Sequence, residues 1–378
     1  MKKCVVVSDS FKGTVSSREI CEIAQRVIPR HFPACEVVCI PVADGGEGTV
    51  DCFVQAMGAQ RVGVTVTNAL GEKSAAAYAR LGELAIIEMA AAAGLPQVGA
   101  LRCPGTATTY GVGELITHAA HSGCKRILLG LGGSATNDGG CGCAAALGVG
   151  FLDADGQSFV PVGDTLGRIA RIDTAKAEEL LRSVEITVMC DVTNPLYGPT
   201  GAAYVFAPQK GADAEKVKSL DAGLRHFGDV IRSQYGLDVS AMPGAGAAGG
   251  MGAGCVALLG GTIQSGIDAV LDVTGFDRQL EGADLVITGE GRIDSQSADG
   301  KVVSGVARRT RAKGIPLIAI AGGIADSAGA VYDIGVSAMF STDRAALPVD
   351  MLGARSPGDY EATLSDIMSL IAIAERFA

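Results

Sequence analysis

Five short stretches of this chain hold the residue types that phosphate and metal chemistry requires. Asp9, Ser10 and Lys12 follow the apolar run Cys4–Val7, Asp44 and Glu47 sit among glycines after Val37–Val42, and Glu290, Arg292 and Asp294 follow Leu285–Thr288. Gly132–Gly140 carries Ser134, Thr136 and Asn137 between glycines, and Asp191 with Asn194 follows Glu185–Cys190. Each stretch lies just past a β-branched, strand-like run. That is where open parallel sheets bind ligands, beyond the carboxyl ends of their strands. Glycine lets backbone amides approach an oxyanion, helix N-termini favour negative charge, and carboxylates hold Mg²⁺ through oxygen. The pattern predicts a phosphate-plus-metal site built from several loops.

Familiar signatures fail. A P-loop requires Gly at 295 and Ser or Thr after Gly300-Lys301, but the chain has Ser295 and Val302 there. Gly244–Gly254 permits a loose dinucleotide match, yet Met242-Pro243 precedes it where an apolar strand belongs. His118 and His121 could share a helix face but have no acidic or Cys neighbour, and no G-x-S-x-G elbow supports a serine triad. The 11 cysteines are odd in number, scattered through apolar runs and free of C-x-x-C spacing, so buried thiols in a reducing compartment are expected.

The elements that must position these loops follow from periodicity. Lys3–Ser8, a helix capped at Ser16 or Ser17 with Glu19 reaching back, Glu36–Val42 and a helix over Thr49–Met57 form a β-α-β-α run, which indicates a parallel sheet. Arg61–Thr67, Ala75–Arg80 and Leu84–Met89, separated by glycine turns, predict an antiparallel meander. A helix over Tyr110–Ser122, strands at Arg126–Leu131 and Glu185–Cys190, and a long helix over Ala214–Gln234 come next. From Ala283 the α/β alternation returns, with strands at Leu285–Thr288, Pro316–Ala321 and Ser337–Phe340 and helices at Lys301–Lys313 and Tyr360–Arg376. The expected fold is α/β: a discontinuous Rossmann-like parallel-sheet domain (1–64 plus 279–378), an inserted mixed α/β domain (65–278), and an interdomain cleft.

Composition narrows the function. The 378 residues are 48 % apolar and 19 % charged, which excludes disorder, and glycine supplies 53 of them, twice the usual share of about 7 %. A net charge of −10 with 4 % aromatic residues and no Trp argues against nucleic acid and against an anionic membrane surface as partners. The N-terminal apolar run is too short for a secretion signal, and no stretch reaches the roughly 20 apolar residues of a membrane span. A cytoplasmic protein with a small-molecule partner is expected; an oligomer is left open.

Longer motifs then carry a resemblance. Asp9-Ser-Phe-Lys-Gly13, Pro41-Val-Ala-Asp-Gly-Gly-Glu-Gly-Thr49, Gly130-Leu-Gly-Gly-Ser-Ala-Thr-Asn-Asp-Gly-Gly140, Cys190-Asp-Val-Thr-Asn-Pro195, Pro208-Gln-Lys-Gly211, Gly244–Gly252 and Ile287–Asp294 occur in this order. Together they resemble the bacterial glycerate kinase family of glyoxylate, glucarate and galactarate breakdown. The resemblance implies ATP and Mg²⁺ as cofactors and phosphorylation of (R)-glycerate, giving 2-phosphoglycerate. The same kinase acting at the other hydroxyl, or a non-catalytic small-acid-binding module, are the alternatives. Phosphoryl transfer depends on positioned charge more than on covalent help, which assigns roles to the motif residues. Lys12 suits a phosphate contact, and Arg292, with its planar fork, suits the substrate carboxylate. Asp44 or Asp191 could accept the hydroxyl proton, and Glu290 or Asp294 could hold Mg²⁺. Ser10 and the loop containing Gly132, Gly133, Ser134, Thr136 and Asn137 would cradle the phosphates of ATP.

Overall fold

A computed structural model describes residues 1–11, 14–40, 42, 48–298, 301–345 and 353–377. The chain opens with β1 (Lys3–Ser8) and α1 (Ser17–His31). Ser16 caps the helix: its hydroxyl accepts the Glu19 N–H at 3.2 Å, and the Glu19 carboxylate accepts the Ser16 N–H at 2.9 Å. Such a reciprocal pair satisfies two amides that a helix start leaves open. Ile20, Ile23, Ala24, Val27 and Ile28 recur at helical spacing and are buried. β2 (Glu36–Cys39) lies parallel to β1 and is shorter than the expected Glu36–Val42, because only Lys3–Val6 of β1 pair with it.

The middle of the chain builds a second unit. After α2 (Thr49–Met57), β3 (Gln60–Thr67), β4 (Lys73–Leu81) and β5 (Leu84–Glu88) form the expected antiparallel meander. Then follow α3 (Tyr110–His121), β6 (Arg126–Gly130), α4 (Cys141–Ala146) and a small antiparallel pair of β7 (Gly150–Leu152) and β8 (Arg171–Asp173). β9 (Glu185–Met189), α5 (Ala214–Tyr235), α6 (Ala247–Leu259) and β10 (Thr262–Gln264) complete the unit. Its six-stranded sheet runs β10-β9-β6-β5-β4-β3, parallel from β10 to β5 and antiparallel beyond.

β11 (Leu285–Ile293), α7 (Val302–Ala312), β12 (Leu317–Ile324), β13 (Ala338–Ser341) and α8 (Ser356–Ala374) return to the first sheet, whose order is β13-β12-β11-β1-β2, all parallel. β1 pairs with β11, so the two ends of the chain share one sheet. The strand order departs in opposite directions from that pair. The β1/β11 junction is therefore the topological switch point, where open sheets bind ligands.

The chain falls into two compact units, 1–44 with 266–378 and 45–265. Both junctions lie earlier than the 64/65 and 278/279 expected. β3 pairs with β4 along its whole length from Gln60, and Asp268 and Asp272 of the helix Gly266–Val273 form ion pairs with Arg309 of α7. Each unit has its own core of aliphatic residues, as a chain poor in aromatics requires: Ile20, Val27, Ile287 and Leu364 in the terminal unit, Ile87, Leu129, Val188 and Leu224 in the inserted one. No described helix is long and apolar enough to cross a membrane.

Candidate active site

In the terminal unit, acidic groups converge at the switch point. The Asp9 N–H donates to Gly289 O at 2.9 Å, tying the end of β1 to β11, and the Asp9 carboxylate accepts the Ser10 N–H at 2.7 Å. Gly289 must be glycine, since a Cβ there would collide with Ile320 O of β12. β11 does not stop at Thr288 as expected. It continues to Ile293 because β12 also continues, with Glu290 opposite Ala321 and Arg292 opposite Gly323. The expected loop is thus a strand, and its period of two puts Thr288, Glu290 and Arg292 on one face. Glu290 is buried and Arg292 exposed. Burial raises the Glu290 carboxyl above the usual range, the Asp9 and Asp294 carboxylates add to this, and a Ser297 hydrogen bond and the Lys301 charge oppose it. The Ser297 hydroxyl also accepts the Asp294 N–H at 3.1 Å. One Glu290 oxygen, Oε1, is buried with no hydrogen-bond partner among the described residues. Arg292 makes no ion pair among the described residues, so it is not neutralised by Asp294.

In the inserted unit, the loop after β6 has two halves with different roles. Asp138 is wholly buried and accepts four hydrogen bonds: from Thr109 N and Oγ1 at 2.8 Å each, Gly140 N at 3.1 Å and Gly142 N at 3.3 Å. Burial pushes its carboxyl up and these donors oppose the shift. A carboxylate of the chain itself therefore fills the amide niche at the start of α4. The amides of Gly140 and Gly142 are thus engaged within the chain. The half left over is Gly132–Asn137. Gly133 has φ +73°, and its carbonyl accepts the Leu95 N–H at 2.7 Å, while the Ala135 N–H donates to Ala93 O at 2.9 Å. The amides of Gly132, Gly133, Ser134, Thr136 and Asn137 have no acceptor among the described residues, and Gly132 and Gly133 reach the surface. Thr136 Oγ1 and both amide atoms of Asn137 are buried without partners among the described residues. Polar groups left this way are costly, and so many adjacent donors fit an oxyanion ligand.

The glycine run behind this loop explains itself. At Ala248, Gly249 and Gly250 the chain turns left-handed inside α6, with φ of +53°, +70° and +91°. A Cβ on Gly249 would collide with Thr136 O, and one on Gly254 with Gly139 O. The run is a close-packed support for the loop, with Gly139 N–H donating to Gly249 O at 3.0 Å.

Of the residues singled out by sequence, Lys12 and Asp44 lie outside the described residues. Ser10, Glu290, Arg292 and Asp294 belong to the terminal unit; Gly132, Gly133, Ser134, Thr136, Asn137 and Asp191 belong to the inserted one. Asp191 is exposed just past β9, and Asn194 anchors its loop by donating from Nδ2 to Thr200 O at 2.8 Å. No group of three or more His, Cys, Asp or Glu among the described residues could hold a metal ion. Sequence reasoning passed over three groups. Lys210 is buried against Ser134 and Thr136. Asp138 organises the loop. Glu88, at the end of β5, accepts the Val50 N–H at 2.6 Å at the start of α2. Lys210 and Asp138 lay inside quoted motifs; burial, which no motif displays, distinguishes them.

Comparison with known proteins agrees with this architecture. The family model described as "Glycerate kinase family" matches residues 4–372. A glycerate kinase of Bacillus cereus is 45 % identical over 377 residues, covering 99 % of both chains, and the glycerate 2-kinase of Escherichia coli is 44 % identical over 343 residues, 90 % of both. The crystal structure of a candidate glycerate kinase 2 from Salmonella typhimurium LT2 superposes with a TM-score of 0.88 at 38 % identity, covering 99 % of both chains. The chain, with its β1/β11 switch point and its half-open glycine loop, belongs to the glycerate kinase family.

Proposed function

We propose that this protein transfers the γ-phosphoryl group of ATP in line to the 2-hydroxyl of (R)-glycerate. The observation that carries the reading is family membership over residues 4–372. The relative from Escherichia coli, a glycerate 2-kinase, supports the position of transfer. The reaction requires donors for the phosphate tail, a cation for the substrate carboxylate and an acceptor for the hydroxyl proton. Gly132–Asn137 supplies unengaged amides and hydroxyls for the phosphates, with Ser10 and Lys12 as further contacts. Arg292, exposed and unpaired among the described residues, takes the glycerate carboxylate through its fork. Asp191 or Asp44 accepts the proton. Glu290 Oε1, without a partner among the described residues and on a carboxyl raised by burial, fits a cation with Asp294 beside it. With only two such carboxylates, phosphate oxygens and water would complete the shell, as is usual for Mg²⁺. Bound there, Mg²⁺ would neutralise charge building on the phosphate oxygens. A cytoplasmic setting suits a chain with 11 free cysteines.

The test mixes protein, ATP, Mg²⁺ and D-glycerate and follows ADP, then adds enolase alone. The reading predicts glycerate-dependent ADP and a product that enolase dehydrates at once. A product that enolase ignores until a mutase is added would move the transfer to the 3-hydroxyl. Glycerate binding without turnover would leave a sensing module.

A further inference from the structure

Lys210 has no ordinary reason to be where it is. It is 2 % exposed, and its ammonium donates to Ser134 Oγ and to Thr136 O, both at 2.7 Å. A lysine carries three N–H donors, and the third has no acceptor among the described residues. No carboxylate among the described residues touches it; among them Asp138 alone acts on its charge, and only through space. Lysine is almost never fully buried without an ionic partner, and an uncompensated buried ammonium is disfavoured. An aliphatic side chain would fill the space without that penalty. The ammonium is hydrogen-bonded to Ser134 and Thr136, whose amides have no acceptor among the described residues, and the buried Thr136 Oγ1 and Asn137 amide have no partner among them either.

We propose that Lys210 is the positioning cation of the phosphate-binding loop. Its two hydrogen bonds fix the path of Ser134–Thr136, and its charge acts on a phosphate tail bound at the amides of that loop. The counter-charge that the free protein lacks is then the ligand's own. This rests on the reading of Gly132–Asn137 as the nucleotide loop and adds to it a residue that need not touch the substrate.

One consequence separates this role from simple packing. In the free protein, burial lowers the Lys210 pKa to about 7. An anion opposite the ammonium favours the protonated form and raises that pKa. Binding at a pH above the free value and below the bound one therefore takes up a proton, and affinity weakens as pH rises through that window. At pH 8 a nucleoside diphosphate is itself almost fully ionised, its phosphate pKa being about 6, so uptake reports the protein.

The experiment is calorimetric titration of the whole protein with ADP at pH 8, in two buffers of different ionisation enthalpy. Wild type should take up a large fraction of one proton, up to about 0.9, per ADP bound. Lys210→Arg, always charged, should bind ADP within about threefold of wild type with no proton uptake. Lys210→Met should raise the KM for ATP at least tenfold and leave the KM for glycerate within about twofold. Proton-neutral binding by wild type overturns the proposal, and so does a Lys210→Met enzyme with unchanged KM for ATP. If Lys210→Met fails to fold, the comparison of wild type with Lys210→Arg decides alone. Absence of glycerate-dependent ADP formation in wild type would instead sink the kinase reading itself.

Discussion

Arg292 and Asp191 have the same signature in sequence, a charged residue just past a strand, but they predict different kinetic failures. Arg292 stands exposed near the C-terminal end of β11 with no ion pair among the described residues, two positions from buried Glu290 on the same face. If it holds the glycerate carboxylate, Arg292→Met removes binding shared by ground and transition states. The KM for glycerate should then rise about thirtyfold, the effect of roughly 2 kcal/mol, with the KM for ATP unchanged. Asp191→Asn should do the reverse, lowering kcat by about 10²–10⁴ as loss of a general base does, with both KM values retained. Steady-state kinetics on the two variants checks both: an unaltered glycerate KM removes Arg292 from the site, and a normal kcat removes Asp191. Lys210 shows the limit of reading at this scale. A lysine in a Pro-Gln-Lys-Gly turn gives no sign of burial, and the type is ordinarily solvated.

Among the elements, the glycine-rich segment of α6 had the most ambiguous sequence, since its spacing also permits a dinucleotide fingerprint. The structure resolves it by contact: Gly249 and Gly254 have room for hydrogen only, against Thr136 O and Gly139 O. Gly249→Ala adds a Cβ at φ +70°, where an L-residue is disfavoured by about 1–2 kcal/mol, and forces the loop backbone to move, an overpacking penalty of about 1–3 kcal/mol. It should lower the unfolding free energy by roughly 3 kcal/mol in urea denaturation and raise the KM for ATP in whatever fraction still folds. A variant as stable as wild type would mean that the loop is not seated on α6. Periodicity did place most of the secondary structure. The capping box of α1, the β3–β5 meander and the parallel strands follow from patterns of three to four and of two. It misjudged ends that depend on partners: β2 stops where β1 stops pairing with it, and β11 runs on because β12 does. The short pair β7–β8 and the helical character of Ala247–Leu259 left no periodic trace.

At the scale of the molecule, a chain of net charge −10 that handles a polyanion must work by local arrangement. Its two units differ in the groups they present. The terminal unit gathers Asp9, Glu290 and Asp294 at a switch point with an exposed Arg292 beside them. The inserted unit offers uncharged amides backed by one buried ammonium. The discontinuous topology was legible because the β-α-β pattern stops and resumes; the junctions were not, because the meander and the helix Gly266–Val273 take their allegiance from packing. The family-scale motifs were legible as ordered strings, whereas the engagement of half of the glycine loop by Asp138 depends on Thr109, 29 residues away. Whether the γ-phosphoryl group goes to an organic hydroxyl is read from where that group ends up. With γ-labelled ATP, Mg²⁺ and D-glycerate, all label leaving ATP should appear as phosphoglycerate, one equivalent for each ADP. Label recovered as inorganic phosphate, or ATP left intact while glycerate is present, would contradict it.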